Sequence, residues 1–196
     1  MTARSASDEG AVGEVERIVG AAVEVMQRVA PATPRVSDIV AAANSSNKAF
    51  YRYFASKDEL FVAVMERGVA LTVASLQRQM AKESDPARKI ARWVEGVLEQ
   101  VADPNLLSTS RATTAQMSAS ANRSVANSEI MAPMRDLLAE PVAALGRSPA
   151  DAELVFQCAT GTMRRYFGAG QRPEPRDIEH VVNFCLRGLG VHPVRE

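Results

Sequence analysis

The chain has 196 residues, 46% of them hydrophobic, and 23 basic side chains balance 23 acidic ones. That is enough apolar mass for a sizeable core, and a net charge of zero excludes a protein coated in basic surface, so any nucleic-acid contact must come from a local cluster. No run of about eighteen uncharged apolar residues occurs, and the N-terminal MTARSASDEGAVGEVER is polar where an export signal would be apolar, so no membrane span and a cytoplasmic location are expected.

Helical spacing dominates from the start. Val15, Ile18, Val19, Ala22, Met26 and Val29 recur at intervals of three and four, which predicts a first helix over 12–29, closed by Pro31 and Pro34. RVSDIVAAA follows as a helix of two turns with Val36, Ile39, Val40 and Ala43 inward. Asn44 tolerates a left-handed backbone, so a sharp turn is expected at Asn44-Ser45, and Ser46 can then cap a new helix. At about 100° per residue, Phe50 and Phe54 share the inner face of that helix, while Lys48 and Arg52 fall nearly opposite with Ala49 beside them. Tyr51 and Tyr53 flank the two sides, each with a ring to pack and a hydroxyl to reach outward. Ser56-Lys57-Asp58-Glu59 has the Ser-x-x-Glu form of a capping box, and Lys57 in that first turn suits a nearby anion such as a phosphate.

A helix, a tight turn, a short helix with a cationic outer face and an anion-friendly helix start make the geometry of a helix-turn-helix that reads the DNA major groove. Charges on a solvated helical corner would look alike one by one; the order of turn, cap, aromatic anchor, cations and capping box within one stretch favours DNA. RVSDIVAAANSSNKAFYRYFASKDELFVAV also resembles the N-terminal domain of TetR/AcrR-type transcriptional regulators, with SNKAFYRYFASKDEL as its specific core. The resemblance covers about 15–64. It implies that Asn47, Lys48 and Ala49 lie at or near base edges, with Ser46 and Tyr53 in the same surface. Tyr51, Arg52 and Lys57 would meet backbone phosphates, and Ser37 occupies a position that often meets one. Asn44 stands where the family usually has Gly, Ala49 where it commonly has a hydroxyl, and Pro34 where it has a capping hydroxyl.

Beyond Gly68 the likeness is one of length and helical character. Helices are expected from Asp58 to about Glu83, from Pro86 to Val101, from Ser128 to Leu145, from Pro149 to Tyr166 and from Arg176 to Leu189, with a weaker one between Asn105 and Asn127. In the family this body holds an apolar effector pocket, for which Trp93, Val97, Met117, Met131, Met134, Phe156 and Met163 are candidate liners, or else plain core. Arg111 could meet a carboxylate or lie at the surface. The last two helices are expected to make the dimer contact as a four-helix bundle, through Leu154, Val155, Cys158, Ala159, Gly161 and Thr162 on one face and Val181, Val182, Cys185, Leu186 and Leu189 on the other, with an intramolecular core as the alternative. Cys158 and Cys185 read as packed, reduced thiols. His180 and His192 lack partners at metal spacing, no phosphate loop or nucleophile elbow occurs, and no metal, cofactor or catalysis is expected.

The expected protein is therefore all-α: a three-helix DNA-binding domain over 1–57 and a helical ligand-binding and dimerisation domain over 58–196. Its expected partners are a palindromic double-stranded operator, a small apolar effector and a second copy, with repression as the expected outcome. A helical ligand-binding or adaptor protein with a weakened DNA module is the alternative, since the N-terminal arm is poor in basic residues.

Overall fold

The computed structural model describes residues 3–29, 32–102 and 123–191. Among these residues the chain is wholly helical: α1 (Ala3–Val29), α2 (Val36–Ala42), α3 (Asn47–Tyr53), α4 (Lys57–Met80), α5 (Pro86–Ala102), α6 (Arg123–Asp136), α7 (Ala139–Ala144), α8 (Pro149–Ala169) and α9 (Pro175–Gly188). No described helix is long and apolar enough to cross a membrane.

The described residues form two compact units, with the change at Arg67–Gly68 inside α4. In the first, the inward stripe of α1 (Ile18, Ala22, Val25, Met26) meets Ile39 and Val40 of α2, Phe50 and Phe54 around α3, and Leu60, Phe61 and Val64 of α4. α3 has only seven residues, too few to hold a helix alone, so its two buried phenyl rings, 5.5 Å apart, anchor it to that core. The expected domain division at 57/58 falls at the first residue of α4, and the first core continues into that helix as far as Val64.

In the second unit α5 is central and packs against α7, α8 and α9. Its stripe of Ile90, Trp93, Val94, Val97 and Leu98 is fully buried. At Gly96 the helix backbone meets side chains of α4: a Cβ placed there would come within 2.6 Å of Leu76 Cδ2 and 2.9 Å of Gln79 Oε1, so a larger residue requires those side chains to shift. Cys158 and Cys185 are free thiols, and burial, with Cys158 adjacent, pushes the Cys185 thiol up to about 12.

Three expectations change. α1 begins at Ala3, well before Val12. The single helix expected over 128–145 is two: α6 ends at Asp136, Leu137 and Leu138 turn, and α7 starts at Ala139. Pro141 explains the break, because its ring excludes the carbonyl four residues earlier, that of Leu137, and it offers no N–H to bond it. The two apolar faces of the last helices also divide. Val155, Ala159, Val182, Cys185, Leu186 and Leu189 belong to the core of the second unit, whereas Leu154 stays 67% exposed and Phe184, outside the expected face, 63% exposed.

Candidate nucleic-acid interface

The surface is set by the turn between α2 and α3. Asn44 adopts φ 48°, the left-handed conformation that its short amide side chain tolerates, and Ser45 N–H closes the turn onto the Val40 carbonyl at 2.8 Å. Ser46 Oγ then accepts the Ala49 N–H at 3.1 Å and caps α3. With Phe50 buried on the inner face, Asn47, Lys48, Tyr51 and Arg52 are exposed on the outer one and Ala49 is half-exposed between them. Tyr51 leans edge-on against Phe50, centroids 5.1 Å apart, while keeping most of its surface in solvent.

The start of α4 adjoins this surface. Ser56 Oγ accepts the Glu59 N–H at 3.2 Å, and the Glu59 carboxylate reaches back to the Ala55 N–H at 2.6 Å, one residue earlier than the usual box. Lys57 sits in that first turn with its ammonium 5.8 Å from the centre of the Phe61 ring. Ser37 is exposed in the first turn of α2, where its hydroxyl donates to Asp38 at 3.4 Å. All nine candidate DNA-facing residues thus belong to the first unit, though Ser46 Oγ is committed to its cap and Tyr53 is half-buried.

Arg52 and Tyr53 have a partner that the periodicity of α3 did not disclose. Glu14 of α1 accepts hydrogen bonds from Arg52 Nη2, Tyr53 Oη and Ser45 Oγ, the last two at 3.1 Å. The Tyr53 hydroxyl above all, then Ser45 and the Arg52 and Arg17 charges, holds the Glu14 carboxyl below the usual carboxylate range against the cost of its partial burial. The sequence did contain a signal: Glu14 lies four residues before Ile18 and so continues the inward stripe of α1 with an acid.

The candidate effector liners lie in the second unit where they are described. Trp93, Val97, Met134 and Phe156 pack in its core, the Trp93 indole N–H donating to the Met134 carbonyl at 3.0 Å and its ring lying 6.1 Å from that of Phe156. Met131 and Met163 are half-buried against the same core, while Arg111 and Met117 lie outside the described residues. A cavity of about 170 Å³ opens elsewhere in the unit, among Arg135, Asp136, Val142, Arg147 and Ala152. Among the described residues no three His, Cys, Asp or Glu side chains gather as a metal site.

Residues 18–64, from the core of α1 through the capped α3 into α4, match the family described as bacterial regulatory proteins, tetR family. The N-terminal unit is thus similar to the tetR-family helix-turn-helix. Its match begins within α1 at Ile18 and ends at Val64, where its core also ends.

About nine-tenths of the chain shares its fold with solved structures, transcriptional regulators among them. The FadR transcriptional regulator of Bacillus subtilis, solved in complex with stearoyl-CoA, is 17% identical with a TM-score of 0.67, over 90% of this chain and 99% of that one. A TetR transcriptional regulator from Rhodococcus sp. RHA1 is 18% identical with a TM-score of 0.69, over 90% and 96%. The reduced form of Escherichia coli NemR is 16% identical with a TM-score of 0.68, over 89% and 95%. No curated protein sequence matches the chain. These identities speak for the fold alone: a helix-turn-helix unit followed by a helical body.

Proposed function

We propose that the protein is a ligand-responsive transcriptional regulator, a repressor that binds a palindromic operator as a homodimer and leaves it when a small apolar effector binds. In this reading residues 1–57 hold the DNA-contacting surface and residues 58–196 serve the effector and the second copy. The carrying observation is the exposed, cation-bearing outer face of α3, set by the left-handed turn at Asn44 and the Ser46 cap inside a tetR-family match. Asn47, Lys48 and Ala49 would meet base edges; Ser37, Tyr51, Arg52 and Lys57 would meet phosphates. One short helix reads too few base pairs for a genome, so two copies must present it at a spacing of roughly 34 Å or a little more.

The ligand part of the reading draws support from a neighbour of the same fold that was solved with an acyl thioester, and from a body whose buried face carries Met131, Met134 and Met163, side chains that adapt to irregular partners. Nothing in the reading requires catalysis.

The pairing of Arg52 with Glu14 favours a second reading, a helical ligand-binding or adaptor protein whose DNA module is weakened. A gel-shift titration with the DNA flanking the protein's own coding sequence separates the two. Saturable binding that outlasts a large excess of random duplex supports the regulator; binding no tighter than to random duplex at every salt concentration supports the adaptor. In the same titration an apolar effector should release the DNA, and an effector at a hundred times its dissociation constant should add about 2.7 kcal/mol to stability, read as a rise in Tm.

A further inference from the structure

Glu14 on α1 sits where three donors from elsewhere in the unit converge: Ser45 Oγ at 3.1 Å, Tyr53 Oη at 3.1 Å and the Arg52 guanidinium. Arg52 Nη2 also donates to Tyr53 Oη at 2.8 Å, and its guanidinium lies 4.6 Å from the centre of the Tyr53 ring, so the donors hold one another in place as well. Two hydroxyls and a guanidinium N–H directed at the two oxygens of one carboxylate make a site for an oxyanion. A phosphate of a DNA backbone asks for the same donors, and two of the three residues, Arg52 and Tyr53, lie on the helix proposed to enter the groove. The oxyanion already there is the chain's own carboxylate.

We infer that Glu14 is an intramolecular stand-in for a DNA phosphate, engaging Arg52 and Tyr53 in the free protein and lowering the affinity of the unit for any duplex. The inference rests on the DNA-binding reading above and assigns a restraint to that surface. The exposures fit the role: the Arg52 side chain is 61% exposed whereas that of Glu14 is 20% exposed. An incoming phosphate therefore reaches the guanidinium from the solvent side while the carboxylate stands behind it. It must then share the cation with a second anion, and like charges in one site repel. Phosphates carry no base identity, so the restraint acts equally on every sequence. Glu14 sets how tightly DNA is held and leaves unchanged which DNA is preferred.

The test is a set of dissociation constants for the full-length wild type, Glu14→Gln, Arg52→Ala and the double variant. Each is measured on two duplexes, the DNA flanking the coding sequence and a scrambled duplex of equal composition, across about 50–200 mM salt. Glu14→Gln is expected to bind both duplexes about threefold to tenfold more tightly, the scale of one restored charge interaction, with the ratio between them unchanged. In the Arg52→Ala background the same change should give no gain. Should Glu14→Gln melt too early to assay, Glu14→Ala removes the same charge and carries the same expectations. Equal or weaker binding by the charge-neutral variants, or a gain that survives without Arg52, overturns the inference, as does a gain confined to one duplex. Failure of the wild type and every variant to bind either duplex overturns the DNA-binding reading and this inference with it. Wild-type binding that Arg52→Ala weakens and Glu14→Gln leaves unchanged overturns the inference alone.

Discussion

At Asn44 the chain turns with φ 48°, a conformation that costs most L-residues about 1–2 kcal/mol and that Asn and Gly tolerate better. Asn44→Gly should therefore leave stability near the wild-type value, whereas Asn44→Val should lose about 1–2 kcal/mol or more in urea denaturation, because a β-branched side chain has no relief there. Equal stability of the two variants would mean that the turn relaxes when its residue changes. A second residue-level expectation separates side chains that meet phosphates from those that read bases. Lys57→Ala should weaken binding to all duplexes alike and reduce the slope of log K against log salt by about 0.9 for each phosphate it leaves without a cation. Lys48→Ala should instead alter which base pairs are preferred, read by competition among single-base variants of the operator. Arg52→Ala should resemble Lys57→Ala, with a smaller effect to the extent that Glu14 already occupies the guanidinium.

Among the elements, α8 and α9 begin with the same device. The Asp151 carboxylate accepts the Ser148 N–H and hydroxyl, both at 2.8 Å, and the Asp177 carboxylate accepts the Glu174 N–H at 2.9 Å. These bonds hold both carboxyls below their ordinary range, the Ser148 hydroxyl contributing most at Asp151 and the Glu174 N–H at Asp177. A carboxyl whose pKa is lower in the folded than in the unfolded chain adds stability that is complete above the unfolded value and is lost as pH falls through the folded one. Glu14 shares the sign. The urea midpoint should thus be flat near neutrality and fall below about pH 5, and Asp151→Asn with Asp177→Asn should lower the neutral midpoint and flatten the acid decline. An acid limb as steep in the double variant as in the wild type would place the proton uptake elsewhere. The cap of α3 gives a companion value: Ser46→Ala should cost about 1 kcal/mol.

For the whole molecule the proposed function requires two copies of α3 held at a fixed spacing. The apolar surface that α8 and α9 leave outside the core of the second unit centres on Leu154 and Phe184. At Gly161 and Gly188, on the same two helices, an added Cβ would meet nothing within 4 Å, so both backbones stay open to close approach by another helix. Large exposed apolar side chains beside bare backbone suit an isologous contact with a second copy. Leu154→Arg combined with Phe184→Arg should give folded monomers in sedimentation velocity, with unchanged helical content and no operator binding. Ala159 is a poor site for that experiment, since it is fully buried and Arg there would unfold the unit. A wild type that sediments as a monomer at micromolar concentration would remove both the contact and the spacing it serves.

The helical fold, the Asn44 turn, the Ser46 cap and the inward pair Phe50 and Phe54 were all legible in the sequence, because each depends on residues within about one helical turn of one another. The outward face of α3 follows from the same periodicity, and so do the exposed positions of Lys48 and Arg52. What the periodicity of α3 does not contain is a partner 38 residues away: Glu14 meets Arg52 only once α1 has packed against the turn. The last two helices show the same limit. Leu154 and Val155 are adjacent apolar residues on α8, and their order says nothing of which one α5 will cover. Local spacing determines which residues share a face; only the packing of distant elements decides which faces are buried, and which charges are already answered before a partner arrives.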